Sequence, residues 1–246
     1  MGTHEKVCMN IEIITSFNKT YYNNIGKDCV DTWLEYWPRE LSLTCYVEEF
    51  SLDDNPRIKQ IDFSQLGKDY ETFQHTKSIG GQERKFAKKA FSFIHSLHNS
   101  VADRIIWLDA DVISTAKFPM DILKSILSDD VLSTHMGVTY HETKSGIAGR
   151  WFVPETGFFA VNTRHEKFET FKKLYTERYT SHNKEGLRRF FDNDVYGWAI
   201  EETNAKCLDL CAKFKKPYKT PIKHTVLGPY MHHYKAKSKK DYASGD

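Results

Sequence analysis

The feature that most constrains the fold is a short apolar run that ends in two acidic residues. Four consecutive apolar residues, Ile105 to Leu108, lead into Asp109 and, two positions later, Asp111. Such a run predicts a strand buried on both faces, as in parallel sheets covered by helices. Ligands of these sheets bind at the carboxyl ends of the strands, and the period of two in extended chain directs both carboxylates to the same side. Because facing carboxylates repel each other, the pattern favours Mg²⁺ or Mn²⁺ between them, although aspartates in loops also cap helices and turns.

The composition is typical of one folded α/β domain. The chain has 246 residues, of which 40% are hydrophobic and 14% aromatic, and no segment has the composition of a linker, so we expect one domain over residues 1–246. A net charge of +2 gives no indication of a nucleic-acid partner. No apolar run is long enough to cross a bilayer and the first residues lack the apolar core of a signal peptide, so we expect a cytoplasmic protein without a membrane span.

The five cysteines are an odd number in a chain of this length, which argues for reduced thiols and against a disulfide framework. Cys207 and Cys211 are the only close pair, and their spacing of four residues predicts a buried helix face. Zinc binding by this pair is a weaker alternative, because no second pair of ligands matches it.

Strand and helix patterns alternate along the chain. Apolar runs predict strands at Ile11–Asn18, Leu41–Val47, Val131–Thr139 and Pro154–Asn162. Helical spacing predicts helices at Asn23–Trp37, Gly81–Leu97 and His165–Arg178, a short helix within Ser114–Leu127, and another around Val195 and Trp198. We expect mostly irregular chain between Ser51 and Ser78, where the pattern is weak, and a loop at Thr143–Trp151, which contains two glycines.

The apolar stripe of helix Gly81–Leu97 fixes the expected position of its lysines. Phe86, Ala90, Phe93, Ile94 and Leu97 share this stripe. Lys88 is then expected to point to solvent. Lys85 and Lys89 flank the stripe at the rim of the sheet, where they would either hold phosphate or sugar oxygens or extend into water.

The apolar strand with its Asp109-Ala-Asp111 ending resembles the metal-binding Asp-x-Asp motif of nucleotide-sugar-dependent glycosyltransferases with the GT-A fold. Four looser motifs extend the resemblance over about residues 10 to 237: Lys85-Phe-Ala-Lys-Lys-Ala-Phe91, Glu155-Thr-Gly157, Asp192-Asn-Asp194 and the tail Gly228-Pro-Tyr-Met-His-His-Tyr-Lys-Ala-Lys237. The resemblance implies a single-domain α/β GT-A fold, a mixed and mostly parallel sheet flanked by helices. It also implies a donor-binding half over about 10–111, an acceptor-side half over about 112–227 and a tail over 228–246.

On the donor side, the resemblance implies a divalent cation and a nucleoside diphosphate sugar, with a UDP-sugar favoured. The implied metal ligands are Asp109, Asp111 and His233, with His232 as the alternative to His233. The loop after the first strand, Thr15 to Asn18, would hold the base and ribose, and Tyr21 or Tyr22 would stack on the base; surface tyrosines are the alternative. The other implied donor-binding residues are lysines: Lys85, Lys89, Lys235 and Lys237.

In the second half of the chain, Asp192-Asn-Asp194 resembles the Asp-Gln-Asp segment of the retaining galactosyltransferase and glycogenin group. The resemblance implies that Asp192 binds hydroxyls of the donor sugar, that Asn193 lines the reactive face, and that the configuration of the sugar is retained. An Asx cap at the start of a helix is the alternative for this segment. For an inverting reaction, Glu155 is the candidate base, and Gly157 would let a ligand approach the backbone. The acceptor would be a glycan or another hydroxyl compound.

Two other classes of protein are alternatives. A phosphatase of the haloacid dehalogenase type also has Asp-x-Asp after an apolar strand and uses the first Asp as its nucleophile. In that type the motif opens the chain and Thr stands two residues after the second Asp, whereas here the motif is central and Ile113 takes that place. A sugar-binding protein that keeps the fold without turnover is the other alternative, although an intact aspartate pair, a C-terminal histidine and several lysines would be superfluous in it.

Overall fold

The computed structural model describes residues 9–138, 153–187, 189–212 and 221–234. Its strands are β1 Ile11–Asn18, β2 Ser42–Glu48, β3 Ile58–Asp62, β4 Arg104–Leu108, β5 Val112–Ser114, β6 Ser133–Val138, β7 Pro154–Asn162, β8 Cys207–Asp209 and β9 Met231–His233. Its helices are α1 Lys19–Tyr21, α2 Lys27–Tyr36, α3 Lys68–His75, α4 Gly81–Asn99, α5 Met120–Ile126, α6 Phe168–Thr180 and α7 Asp192–Thr203. A π-helical turn, Tyr22–Gly26, joins α1 to α2, and 3₁₀ turns form at Phe63–Leu66 and Pro221–His224.

Seven of these strands form one mixed sheet in the order β3-β2-β1-β4-β7-β6-β8. In this sheet β7 runs antiparallel to both of its neighbours, β4 and β6, and the other neighbouring pairs are parallel. The carboxyl ends of β1, β2 and β4 therefore lie at one edge of the sheet, which we call the carboxyl edge. The predicted mixed, mostly parallel sheet flanked by helices is confirmed.

Strand β4 is buried on both faces, as its apolar run predicted. Ile106 and Leu108 pack into the core on one face of the sheet, and Ile105 and Trp107 pack into the core on the other. The first core includes the stacked rings of Trp37 and Phe118, whose centroids lie 4.6 Å apart, and the second is rich in Phe and Tyr from α4, α6 and α7. Because both faces are covered, ligands reach β4 only beyond its ends.

A second, two-stranded sheet brings the end of the described chain back to β4. Strand β5, which directly follows the two aspartates, pairs antiparallel with β9, and Val112 lies opposite His233. The amide of Tyr234 donates to the carbonyl of Asp111 at 2.9 Å and continues the pairing. This register fixes the position of His233 beside the aspartates.

Two sequence predictions about secondary structure are wrong. The segment predicted to be irregular, between Ser51 and Ser78, contains β3, a 3₁₀ turn and α3. Lys59 and Gln60 of β3 are exposed and α3 buries only Tyr70 and Phe73, so neither element has a clear apolar period. Cys207 begins β8 and Cys211 lies in the turn after it, so these cysteines do not share a helix face.

Two further observations concern sequence expectations. In the described part of the chain, no helix combines the length and the apolar character needed to cross a membrane. The loop predicted at Thr143–Trp151 lies outside the described residues.

Candidate active site

A cavity of about 550 Å³ opens at the carboxyl edge, directly beyond β1 and β4. Its lining comes from both halves of the chain. The first half contributes Ser16, Phe17, Asn18, Tyr21, Phe63, Lys85, Phe86, Lys88, Lys89, Trp107, Asp109, Ala110 and Asp111. The second half contributes Glu155, Thr156, Arg189, Phe191, Asp192, Asn193 and His233. This volume is within the range of small-molecule sites, and acidic, basic and aromatic side chains all face it.

Asp109, Asp111 and His233 converge on one point of this cavity. His233 Nε2 lies 3.1 Å from Asp111 Oδ1 and 3.8 Å from Asp109 Oδ2. One potential ligand atom from each of the three side chains lies within 4.8 Å of the others, and this is the one such group among the described residues. Two carboxylate oxygens and an imidazole nitrogen are ligands that Mn²⁺ accepts, and the carboxylates suit Mg²⁺ as well. The donor set therefore fits a divalent cation.

The electrostatics of this group also favour a cation. Burial raises the pKa of Asp109, and the neighbouring charge of Asp111 raises it further against the opposing effect of Lys89. Burial lowers the pKa of His233, but its hydrogen bond to Asp111 and the surrounding carboxylates outweigh this effect and hold the pKa above its usual value. Asp109 and Asp111 thus repel each other, and a cation bound between them would relieve that repulsion.

The two oxygens of Asp109 have different partners. Oδ1 accepts hydrogen bonds from Trp107 Nε1 at 2.6 Å and from Lys89 Nζ at 2.8 Å. Oδ2 faces His233. The protein thus fixes the orientation of this carboxylate and leaves one oxygen directed at the cation site.

Gly157 makes room for His233. A Cβ at position 157 would lie 2.3 Å from His233 Cε1 and 2.6 Å from Nδ1, distances that no side chain tolerates. The sequence interpretation assigned the space beside Gly157 to a ligand, but the imidazole of His233 occupies it. His232, the alternative ligand, precedes it on β9 and has its ring against Tyr234, with centroids 4.4 Å apart.

Lys89 connects the cation site to Thr156 and Asp192. Its ammonium group donates to Asp109 and to the carbonyl of Thr156, and it lies 3.1 Å from Asp192 Oδ2. Burial lowers the pKa of Lys89, but Asp109 and Asp192 outweigh burial and raise it above the usual value. Lys89 is therefore a buried cation shared between two carboxylates.

Asp192 is the first residue of α7, yet its side chain does not cap that helix. Its Oδ2 accepts a hydrogen bond from Thr156 Oγ1 at 2.7 Å in addition to its pairing with Lys89. The alternative of an Asx cap does not hold, because the residue at the cap position is Phe191 and no side-chain hydrogen bond is made there. Asp192 and Asn193 both line the cavity, and Lys89 links Asp192 to Asp109.

Two solved glycosyltransferases have the same architecture as this chain. Mouse xyloside xylosyltransferase 1, in its apo form, superimposes with a TM-score of 0.55 at 12% identity over 82% of this chain and 85% of its own. Galactosyltransferase LgtC, in complex with donor and acceptor sugar analogues, gives a TM-score of 0.54 at 12% identity over 95% of both chains. The chain has the GT-A fold. At this identity the likeness establishes the fold alone, and neither the family models nor the curated proteins give a match to the sequence.

Within this GT-A fold, the predicted residues of the first loop have different positions. Ser16 and Asn18 line the cavity. Thr15, which precedes Ser16 in β1, is fully buried and does not line the cavity. Tyr21 lines the cavity and its hydroxyl is hydrogen bonded to Asp111, so its contact is with the cation site. Tyr22 packs against Phe17 and Phe50 and is not part of the lining.

The lysines at the cavity differ in exposure and in their contacts. Lys85 is exposed at the cavity and Lys89 is buried within it. The prediction that Lys88 points to solvent is wrong, because it pairs with Glu48 at the end of β2 and lines the cavity. Lys235 and Lys237 lie outside the described residues.

Several cavity residues had no role in the sequence interpretation. Trp107 holds Asp109, and Thr156 holds both Lys89 and Asp192. Phe86 and Phe191 pack together at the cavity with ring centroids 4.6 Å apart, and the guanidinium of Arg189 lies 4.4 Å from the Phe191 ring. Trp107 and Thr156 lie next to predicted site residues in the sequence, so their positions at the cavity could have been predicted. The contact between Phe86 and Phe191 joins segments far apart in the sequence and could not.

Proposed function

We propose that this chain is a metal-dependent glycosyltransferase that transfers a sugar from a nucleoside diphosphate sugar to an acceptor hydroxyl, with retention of configuration. We favour a UDP-sugar as donor and a glycan or other hydroxyl compound as acceptor. The observation that carries the proposal is one cavity that brings Asp109, Asp111 and His233 together with Lys89 and Asp192. The GT-A fold supports the proposal, since both solved chains described above are glycosyltransferases by name.

The donor diphosphate would lie between the cation site and the lysines. Asp109, Asp111 and His233 would hold Mn²⁺ or Mg²⁺, whose chemistry when bound is to neutralise charge on the leaving diphosphate. Lys85 and Lys88 line the cavity and add positive charge there, and we assign the same role to Lys235 and Lys237. Ser16 and Asn18, at the end of β1, would contact the ribose and base.

The sugar would lie toward Asp192 and Asn193. The carboxylate of Asp192 is held in place by Thr156 and Lys89, so it can accept hydrogen bonds from sugar hydroxyls without reorganising. Asn193 lines the same cavity, and its amide would face the reactive carbon, as in the retaining group that the segment resembles. The protein contributes mainly position and the exclusion of water, which in favourable cases lower a barrier by roughly 7–11 kcal/mol.

The alternatives differ in their support. The comparisons do not favour a haloacid-dehalogenase-like phosphatase, because both solved chains described above are glycosyltransferases. A sugar-binding protein without turnover would keep the same cavity, so only an assay of transfer separates it from an enzyme.

The described cysteines Cys29, Cys45, Cys207 and Cys211 are free thiols, which agrees with the cytoplasmic location that we propose.

The test is thermal melting with a panel of nucleoside diphosphates and nucleotide sugars, each with and without Mn²⁺. A ligand at 100 times its dissociation constant stabilises a protein by about 2.7 kcal/mol. We expect one nucleotide to raise the Tm only with Mn²⁺, and Asp111→Asn to abolish the shift. Asp103→Asn is the control, because Asp103 is as buried as Asp111, 5% against 6% exposed, but lies at the other end of β4.

Turnover is then measured with the donor identified by melting. Release of the nucleoside diphosphate, dependent on an acceptor hydroxyl and on Mn²⁺, with the anomeric configuration of the product read by NMR, would support a retaining transferase. Absence of any nucleotide-dependent shift, together with hydrolysis of sugar phosphates, would contradict the proposal in favour of a phosphatase. Binding without turnover over a broad acceptor panel would favour the sugar-binding alternative.

A further inference from the structure

Glu155 lines the cavity, but both of its carboxylate oxygens are directed at the protein. Oε2 accepts a hydrogen bond from the amide of Gly157 at 3.0 Å, and Oε1 lies 3.5 Å from His233 Nδ1. The side chain is only 17% exposed. A general base must present an oxygen to an acceptor hydroxyl, and this carboxylate is oriented away from that task.

His233 needs a partner on the side that faces Glu155. Its Nε2 is directed at Asp111, so a bound cation would use that nitrogen, and the imidazole must then carry its proton on Nδ1. Nδ1 is buried and has no hydrogen-bond partner among the residues that the structure describes. Glu155 Oε1, at 3.5 Å, is the carboxylate oxygen placed to accept that proton when the ring settles against a cation.

Glu155, Gly157 and His233 contact one another. The absence of a side chain at Gly157 lets the imidazole lie against the backbone, and the amide of Gly157 holds the carboxylate that faces the imidazole. A Cβ at position 157 would also lie 3.1 Å from Glu155 Oε1. The segment Glu155 to Gly157, near the start of strand β7, thus contacts His233 on the side away from Asp111.

We propose that Glu155 is a positioning residue for His233 and not the catalytic base. This inference rests on the metal site of the proposed function. A carboxylate can accept from the amide of Gly157 and from Nδ1–H at once, because each of its oxygens is an acceptor. Glutamine at this position has the same shape but one acceptor oxygen and one NH₂ group, so it can serve only one of the two donors.

Mn²⁺ binding tests the inference directly. The affinity for Mn²⁺ alone is measured from the free Mn²⁺ signal in electron paramagnetic resonance, for the wild-type chain and for Glu155→Gln. Loss of a carboxylate behind a ligating histidine weakens metal binding by about 10- to 100-fold, and we expect a loss in that range. Glu12→Gln is the matched control, because Glu12 is a half-buried glutamate that accepts from Thr44 and Ser96 near the start of β1, and we expect wild-type affinity.

Activity at varied Mn²⁺ separates positioning from base catalysis. If Glu155 acts through His233, Glu155→Gln requires more Mn²⁺ but reaches nearly the wild-type kcat at saturation. If Glu155 is the base, kcat stays low at every Mn²⁺ concentration and the affinity for Mn²⁺ is unchanged, which would overturn the inference. Glu155→Asp, which withdraws the carboxylate by one methylene, gives a second variant with the same expected direction should Glu155→Gln fold poorly.

The outcomes also separate this inference from the function on which it rests. A wild-type chain that binds Mn²⁺ while Glu155→Gln binds it equally well would overturn the role of Glu155 and leave the metal site intact. A wild-type chain that binds no Mn²⁺ would overturn both.

Discussion

Strand β4 has buried charged side chains at both of its ends, and the two ends balance that charge differently. At the amino end, Arg104 donates to the carbonyls of Asp103 and Leu127, to Asn162 Oδ1 at 2.6 Å and to Asp129. Asp103 itself accepts from the amide of Asn10 and pairs with Arg164. Positive and negative groups at this end neutralise one another within the protein.

At the carboxyl end four carboxylates converge on one cavity. Asp109, Asp111, Glu155 and Asp192 all line it, and Lys89 pairs with two of them, Asp109 and Asp192. Burial and the neighbouring charge of Asp111 raise the pKa of Asp109, and the hydrogen bond to Asp111 and the surrounding carboxylates raise the pKa of His233. A folded chain retains such an arrangement at a cost, so the comparison teaches that the amino end serves stability and the carboxyl end serves ligand binding.

The largest expected effect is a loss of stability when the amino end of β4, the stabilising end, is changed. Arg104→Ala removes a buried cation and leaves its acceptors without their donor, so we expect the free energy of unfolding to fall by about 3–5 kcal/mol. Urea unfolding measures this loss. Arg164→Ala is the control, because Arg164 is 62% exposed, and we expect less than about 1 kcal/mol. Equal losses in the two variants would contradict the assignment of a structural role to Arg104.

The next effect is on the ligand-binding end. Lys89→Met removes the cation between Asp109 and Asp192, so that each carboxylate loses its contact with the ammonium group and keeps its hydrogen bond from Trp107 or Thr156. We expect kcat to fall by about 10² to 10³, or about 2.7–4 kcal/mol, as for loss of an oriented donor in other active sites. Lys88→Met, one residue earlier on α4, is the control and removes a partly exposed partner of Glu48. We expect it to lower kcat less than Lys89→Met does, and steady-state kinetics of the two variants measure the difference.

The dependence of stability on acid pH is predicted from His135, a buried group that lies at neither end of β4. Burial lowers the pKa of His135, in β6, to about 4, against the partly opposing charge of Asp209. Between pH 6.5 and 4 the unfolded chain binds a proton that the folded chain excludes, so stability is lost as the pH falls through this window, by about 3 kcal/mol in all. Urea unfolding of wild type and His135→Leu at pH 7 and pH 4.5 measures it. We expect a flatter pH dependence in the variant, and parallel curves would contradict the shift.

The smallest effect concerns the space for the metal-binding histidine. Gly157→Ala places a Cβ against the imidazole of His233 and must displace it, so we expect Mn²⁺ affinity to fall by about 10- to 100-fold, or about 1.4–2.7 kcal/mol. Gly81→Ala, where a Cβ would meet nothing within 4 Å, is the control and should bind Mn²⁺ like the wild type. Titration by electron paramagnetic resonance compares the two, and unchanged affinity in Gly157→Ala would show that His233 does not bind the metal.

Local sequence predicted the parts of the molecule that depend on local pattern. The apolar run of β4 and the spacing of Asp109 and Asp111 were sufficient to place both carboxylates at the carboxyl edge. His233 came from the resemblance, with His232 as the alternative, and the register of β5 and β9 brings His233 to the aspartates. The edge strand β3 and the helix α3 were missed, because their exposed residues hide the apolar period.

The contacts that define the site in detail join distant segments. The approach of His233 to Gly157, the sharing of Lys89 between Asp109 and Asp192, and the pairing of Lys88 with Glu48 depend on how α4, β7 and β9 meet. Periodicity gives the face on which a side chain lies, but it does not give the partner that lies opposite. For that reason Thr15 and Lys88 were assigned to the wrong surroundings.

The most direct test of the account compares the two ends of β4 by isothermal titration of UDP with and without Mn²⁺. Asp111→Asn changes the ligand-binding end, and Asp103→Asn changes the stabilising end at equal burial. The account predicts that Asp103→Asn binds UDP in the presence of Mn²⁺ as the wild type does, despite a lower Tm, whereas Asp111→Asn does not bind it. Binding of UDP that is independent of Mn²⁺, or that is lost equally in both variants, would contradict the claim that the carboxyl end holds a cation-dependent donor site.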